Sequence, residues 1–143
     1  YKNANYFKNY SKDLFNILDK RHNYLFELNI ELIQFFLRAL NIKVDIDYSS
    51  KYKINLKKEK LIFELCKLNK CKKYISTVGS KDYLNGYELI PNTNIQISFF
   101  EYKDIKYNQL GEGFIPKLSI LDLLFNEGEN SINIIQKGFK ILK

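Results

Sequence analysis

Apolar residues recur three or four positions apart along much of the chain, which is the spacing of amphipathic helices. The longest such stretch covers about 24–40 and can begin at Asn23; its apolar residues in phase are Leu25, Leu28, Leu32, Phe35 and Phe36. A shorter helix over about 12–20 has Ser11 as its candidate N-cap. The first part of the chain is therefore predicted to form two helices.

Three more helices are predicted further along the chain. The segment 56–70 is amphipathic, with Leu61, Leu65 and Leu68 on one face and Cys66 beside them. Two short helices over about 119–126 and 130–138 follow near the end. We interpret Cys66 as a core residue, because free cysteine behaves as a small hydrophobic side chain.

Short apolar or β-branched segments between these helices predict strands. They cover 42–47, 74–78 and 95–102. The segment 74–78 is uncharged and β-branched, so we expect it to lie inside the sheet. Strands separated by helices and long connections indicate an α/β fold, with a small, mainly parallel sheet of about three strands and helices packed on it.

The composition fits a single α/β domain over residues 1–143, since 45% of the residues are hydrophobic and 15% are aromatic. The chain has no methionine and opens at Tyr1, so we expect it to be the C-terminal part of a longer protein. No transmembrane segment is predicted, because charged residues interrupt every apolar stretch. Two cysteines and one histidine match neither a disulfide framework nor a metal-binding spacing, which favours a soluble protein of the cytoplasm with no metal site.

The net charge of +7 suits an acidic partner such as a nucleotide, a nucleic acid or a phosphate-bearing surface. The same richness in lysine and asparagine is typical of an AT-rich genome. No RNA-binding motif accompanies the lysine clusters at 57–60 and 70–73. The charge is therefore interpreted mainly as a solvated surface, and it does not favour nucleic-acid binding.

A first candidate site follows the predicted strand 74–78. Gly79, Ser80 and Lys81 come at the carboxyl end of this strand, just before a predicted helical turn. Sheet edges of this kind bind ligands, and the N–H groups at a helix start attract anions. The alternative is an ordinary turn in which Gly79 supplies a permissive dihedral angle and Ser80 caps the helix.

A second candidate site lies in the long loop at 102–114, which contains Gly111 and Gly113. Tyr107 and Gln109 are two positions apart there, so their side chains can face the same way. A phenol and a planar amide are suited to recognising sugar hydroxyls or an amino acid. Loops of this length are often functional.

The predicted helix over 119–126 carries a polar stripe on an otherwise apolar segment. Ser119 is its natural N-cap, Asp122 completes a variant of the capping box, and Gly128 ends the helix. Asn126 falls on the same stripe as Ser119 and Asp122. Two interpretations remain open: the stripe faces a polar cleft completed by the loop at 102–114, or Asn126 bonds the backbone of a neighbouring loop.

Three phrases of the sequence, in this order, resemble the WbqC-like family: "YKNANYFKNY" (1–10), "GSKDYL" (79–84) and "YNQLGEGFIPKLSILDLLFNEG" (107–128). The last phrase is the most specific. The resemblance spans most of the chain but only the C-terminal two-thirds or so of the family's usual length. It implies a further N-terminal part before Tyr1, and Asn5 stands where the family often has proline.

The resemblance implies a bacterial cytoplasmic protein that modifies precursors of surface polysaccharides such as the O-antigen of lipopolysaccharide. The implied reaction is transfer of an amino acid, for which lysine is suggested in the family, or of an acyl group. The acceptor would be a saccharide or a sugar nucleotide, and no cofactor is implied. The alternative is a non-catalytic module that binds a sugar nucleotide or a partner of the assembly machinery.

A transferase of this kind needs a base for the acceptor, donors for the oxyanion and a binding surface for the sugar nucleotide. The candidate catalytic residues are Asp82, Asp122 and Tyr107. The candidate substrate-binding residues are Gly79, Ser80, Lys81, Tyr83, Gln109, Ser119 and Asn126.

Overall fold

The computed structural model describes residues 1–84 and 94–142, and the chain divides into two compact units. Unit 1 comprises residues 1–45 and 104–138, whereas unit 2 comprises residues 46–103 and 139–143. The chain therefore passes from one unit to the other three times. The single domain expected from the sequence stays a prediction, because a division into compact units does not show whether each unit folds alone.

Unit 1 is built from four helices: α1 (Phe7–Leu18), α2 (Leu25–Ala39), α5 (Ile120–Glu127) and α6 (Ser131–Gly138). All four were predicted from the apolar spacing. Helix α1, however, begins five residues earlier than expected, and Ser11 is buried inside it instead of capping it. The face that packs on the core includes Phe7, Ser11 and Leu14, so tertiary packing outweighs the preference of serine for an N-cap.

The core of unit 1 joins α1, α2 and α5. Its buried residues are Ala4, Leu14, Ile17, Phe35, Leu40, Leu124 and Phe125. The rings of Phe7 and Phe125 meet edge to face, with their centroids 5.1 Å apart. The apolar stripe predicted on α2 does face this core, except at Leu25, whose side chain is 73% exposed.

Unit 2 contains the sheet. Its strands are β1 (Lys73–Thr77), β2 (Gln96–Tyr102) and β3 (Phe139–Leu142). Strand β1 runs parallel to β2, and β3 runs antiparallel to β2. The predicted α/β class with a small three-stranded sheet is confirmed, although one of its two pairings is antiparallel, so the sheet is mixed.

Helices α3 (Lys58–Leu68) and α4 (Lys81–Leu84) complete unit 2. Phe63 and Cys66 of α3 are buried together with Leu84 and Ile95, so the prediction of Cys66 as a core residue is confirmed. None of the helices in the described ranges has the length and apolar character needed to cross a membrane.

Two strand predictions are wrong. Strand β1 lies at an edge of the sheet and not inside it, because the described strands are ordered β1-β2-β3. β-Branched residues fit a half-buried edge strand as well as a central one. The segment 42–47 forms no strand, and Val44 within it is 60% exposed. Its alternating pattern finds no pairing partner among the described residues. Strand β3, in turn, was missed because four residues are too few to show a clear period.

Candidate functional site

Helix α5 positions the polar residues of the candidate site. Ser119 is its N-cap, as predicted, and the Ser119 hydroxyl accepts a hydrogen bond of 3.3 Å from the backbone N–H of Leu121. The helix ends at Gly128, whose φ of 54° is in the left-handed region. Asp122 does not act as the second member of a capping box, because the hydrogen bonds to its carboxylate come from other side chains.

The carboxylate of Asp122 is buried, and three side chains donate to it. The hydroxyl of Tyr107 lies 2.6 Å from Oδ2, and Nε2 of Gln109 lies 3.0 Å from the same oxygen. Nδ2 of Asn126 lies 3.2 Å from Oδ1. The residue as a whole is only 3% exposed, so this charge depends on its donors for the solvation that water would otherwise supply. We call these four residues the Asp122 cluster.

Tyr107 enters the cluster as a neutral donor. Burial, followed by its hydrogen bond to Asp122, raises the pKa of Tyr107 to about 12. Its ring also packs edge to face on Phe114, with 5.4 Å between the centroids. At neutral pH the phenol therefore keeps its proton and holds the carboxylate in place.

Gln109 fastens the loop that brings Tyr107 to α5. Its Oε1 accepts from the backbone N–H of Ile115 at 2.7 Å, and its Nε2 donates to the carbonyl of Ile115 at 3.0 Å. The loop between Gln109 and Ile115 turns through Gly111 and Gly113, which have φ values of 93° and 82°. One amide side chain thus closes the loop and supports the carboxylate of Asp122.

Asn126 finds its main partner in its own helix. Its Nδ2 donates to the backbone carbonyl of Asp122 at 2.7 Å as well as to the carboxylate. The partner is therefore not the neighbouring loop backbone considered from the sequence. The structure brings together Tyr107, Gln109, Asp122 and Asn126, whereas the hydroxyl of Ser119 is engaged at the start of the helix.

An apolar groove of about 490 Å³ lies in the same unit. Its lining residues are Tyr1, Lys2, Phe7, Leu14, Phe15, Leu121 and Phe125. Tyr1 borders both features: its ring centroid is 5.5 Å from that of Phe125, and burial, followed by the influence of Asp122, raises the pKa of Tyr1. The groove therefore reaches the Asp122 cluster through Tyr1. The only sequence signal for this groove is the aromatic-rich segment 1–10.

A comparison with protein families matches residues 1–134 to the WbqC-like protein family. The chain belongs to this family. It is 30% identical over 112 residues to the uncharacterized protein Rv1507c of Mycobacterium tuberculosis, a match that covers 78% of this chain and 48% of that relative. The chain thus spans about half the length of the curated relative that it matches. No solved structure matches it.

The other predicted site residues of this WbqC-like chain lie in unit 2. Ser80 is buried, and its hydroxyl lies 2.7 Å from both the carbonyl oxygen of Thr77, to which it donates, and Oγ of Ser76. The ammonium of Lys81 lies 5.2 Å from the ring centroid of Phe99. The choice between an anion site and an ordinary turn stays open, because the Ser80 hydroxyl contacts Ser76 and Thr77 of β1 and Gly79 does not have a positive φ.

Asp82 is exposed in α4, and the side chain of Tyr83 lies outside the described part of the structure. Asp82 belongs to unit 2, whereas the Asp122 cluster belongs to unit 1. Anion binding by the segment 79–84 stays a prediction. If it occurs, we expect Lys81→Ala to weaken nucleotide binding about tenfold, or about 1.4 kcal/mol.

Groups of three or more His, Cys, Asp or Glu residues suited to holding a metal ion do not occur among the described residues. His22, the one histidine, has a side chain that is 9% exposed and lies 3.6 Å from Oε1 of Glu31. It lies at the junction between α1 and α2.

Proposed function

We propose that this WbqC-like chain binds a saccharide or sugar-nucleotide precursor of a bacterial surface polysaccharide, such as an O-antigen, during its modification. The observation that supports this proposal best is the Asp122 cluster, in which three side chains hold a buried carboxylate in one position. A rigidly held polar group beside an aromatic groove is typical of small-molecule sites. A sugar matches this combination of a polar group and an aromatic groove, because sugars combine hydroxyl groups with an apolar face.

The geometry supports binding better than catalysis for the described residues. The oxygens of Asp122 are already taken by donors, and the raised pKa of Tyr107 keeps its phenol neutral. Tyr107 is therefore not available as a general base at neutral pH, and Asp122 becomes available only when a substrate displaces one of its donors. A non-catalytic role in recognising the sugar nucleotide is therefore the function that we infer for unit 1.

Transfer of an amino acid such as lysine, or of an acyl group, is the second candidate. The observation in its favour is the contact of 2.6 Å between the Tyr107 hydroxyl and Asp122. An acceptor hydroxyl that displaced the phenol would donate to the same carboxylate oxygen, which would then act as its base. In such an enzyme Asp122 would be the base for the acceptor, and the displaced hydroxyl of Tyr107 would be the donor to the oxyanion.

Calorimetric titration of the whole chain with sugar nucleotides and with free saccharides tests binding. We expect Tyr107→Phe to weaken binding about tenfold, or 1.4 kcal/mol, because the cluster loses a charge-assisted hydrogen bond. Tyr10→Phe is the matched control, since it removes a phenol of unit 1 that lies outside the cluster. Equal affinities of the two variants would contradict the assignment of the site to the Asp122 cluster.

Incubation with a sugar nucleotide plus an activated amino acid or acyl donor separates the two candidates. A gain in the mass of the sugar supports transfer, and binding without a gain supports the recognition role. If neither this chain nor a longer form binds any saccharide, the proposal is wrong. A cytoplasmic location is part of the proposal; it is supported by the cysteine content, since two cysteines do not make a disulfide framework.

A further inference from the structure

Helix α3 ends in a way that joins two cysteines. The N–H of Lys70 bonds the carbonyl of Lys67, and the N–H of Cys71 bonds the carbonyl of Cys66, both at 2.9 Å. Lys70 has a φ of 51°, in the left-handed region. Together these features form a Schellman motif, in which the residue after the left-handed position folds back onto the third residue from the helix end.

The contact that usually accompanies this motif is hydrophobic, and here it is formed by two thiols. Cys66 is 6% exposed within the core of unit 2, and Cys71 packs against the same core while remaining partly accessible. Burial raises the pKa of the Cys66 thiol to about 11, and the Cys71 thiol beside it contributes to the same rise. One thiol is thus shielded and its neighbour is reachable from solvent.

We propose that Cys66 and Cys71 form a redox-active dithiol site that closes to an intramolecular disulfide by exchange with a small-molecule disulfide such as glutathione disulfide. The backbone hydrogen bond from the N–H of Cys71 to the carbonyl of Cys66 keeps the two residues within one helical turn of each other. A disulfide needs α-carbons about 4.4–6.8 Å apart, which suits residues in such direct contact. No part of this inference depends on the proposed function.

The reaction proceeds in two exchanges. The thiolate of Cys71 attacks one sulfur of glutathione disulfide, which forms a mixed disulfide and releases one glutathione thiolate. Cys66 then loses its proton to solvent and attacks the Cys71 sulfur, which releases the second glutathione. Two thiols are oxidised, and one glutathione disulfide is reduced to two glutathione molecules. Cys71 attacks first because it is the more accessible of the two.

Mass spectrometry of the whole folded chain after incubation with glutathione disulfide tests the site. We expect the wild type to lose two hydrogens, about 2 Da, without retaining glutathione. Cys66→Ser should stop at the mixed disulfide on Cys71, because the second thiol is missing. Cys71→Ser should react at least about tenfold more slowly, since only the buried thiol remains.

The Lys70 position supplies a geometric control that leaves both thiols in place. Lys70→Gly favours the left-handed conformation and should close as fast as the wild type. Lys70→Val disfavours that conformation and should accumulate more of the mixed disulfide. A wild type that keeps glutathione on Cys71, or a Cys71→Ser variant that reacts as fast as the wild type, would overturn the proposal. Circular dichroism before each reaction establishes that the variants are folded.

Discussion

At the scale of single residues, Asp122 shows how strongly a buried charge depends on its neighbours. Asp122→Asn keeps the size of the side chain but replaces one acceptor oxygen with a donor that faces the donors of Tyr107, Gln109 or Asn126. We expect the free energy of unfolding to fall by about 2–3 kcal/mol, because hydrogen bonds to a charged group are lost and buried donors are left unpaired. Urea denaturation measures this change.

The matched control for this substitution is Asp13→Asn on the exposed face of α1. It makes the same chemical change at the surface and should alter stability by no more than about 0.5 kcal/mol. If both variants unfold at the same urea concentration, Asp122 does not hold the cluster together.

The raised pKa of Tyr107 predicts that the free energy of unfolding depends on pH in the alkaline range. In the unfolded chain its phenol titrates near 10.0, and in the folded protein its pKa is about 12. Between these values the unfolded state releases a proton that the folded state retains, so the stabilising contribution of Tyr107 is present below pH 10 and is lost as the pH rises towards 12. The difference in stability between wild type and Tyr107→Phe should therefore be constant below pH 9 and change in favour of the variant above pH 10. A difference that does not vary with pH would contradict the assignment.

At the scale of an element, the C-terminus of α5 is closed by a glycine and by the first residues of the chain. The N–H of Tyr6 donates to the carbonyl of Phe125 at 2.9 Å, which satisfies one of the free carbonyls at the helix end. The ring of Tyr6 lies directly over Gly128, where an added Cβ would be 2.5 Å from Cδ1 of that ring. Two features thus require a glycine at the end of the motif "FNEG": the backbone conformation of Gly128 and the ring of Tyr6 that lies close to it.

Gly128→Ala should therefore destabilise the protein by about 2–3 kcal/mol, through strain at a positive φ and displacement of Tyr6. Gly79→Ala is the control, because a Cβ there meets nothing within 4 Å and φ is not positive. It should stay within about 0.5 kcal/mol of the wild type in thermal unfolding. The double variant Tyr6→Ala/Gly128→Ala separates the two causes, since it relieves the contact and leaves only the backbone strain.

At the scale of the whole molecule, the charge is divided unevenly between the two units. Unit 2 contains 13 lysines and 6 acidic residues, whereas unit 1 contains ten of each sign. The entire net charge of +7 therefore belongs to unit 2. A composition bias that acts evenly along the chain does not explain this division. The excess of positive charge belongs to unit 2, whereas the Asp122 cluster belongs to unit 1.

The whole chain also allows a test of the single domain expected from the sequence. Three passages of the chain link the units, and strand β3, at the end of the chain, completes the sheet of unit 2 directly after α6 of unit 1. Partial unfolding of one unit should therefore disturb the other, so we expect one calorimetric transition whose van't Hoff and calorimetric enthalpies agree. Two resolved transitions would mean that the units unfold independently.

The sequence by itself determined the features that depend on local spacing. Helices α2, α5 and α6 and strand β2 lie close to where the apolar period predicts them, and Ser119 caps α5 because its hydroxyl acts on the N–H two residues away. The family resemblance was also contained in three local phrases. These features require no information about residues far apart in the chain.

The tertiary structure decided everything that joins distant residues. Tyr107 and Asp122 are fifteen positions apart, and Phe99 pairs with Leu142 across more than forty, so no local period reveals either contact. One of the two interpretations of the sequence did place the loop of Tyr107 and Gln109 beside Asp122, but the hydrogen bonds between these side chains depend on the tertiary structure. The order of the strands was inaccessible for the same reason: an edge and a central strand can share one sequence, and only the neighbouring backbone distinguishes them.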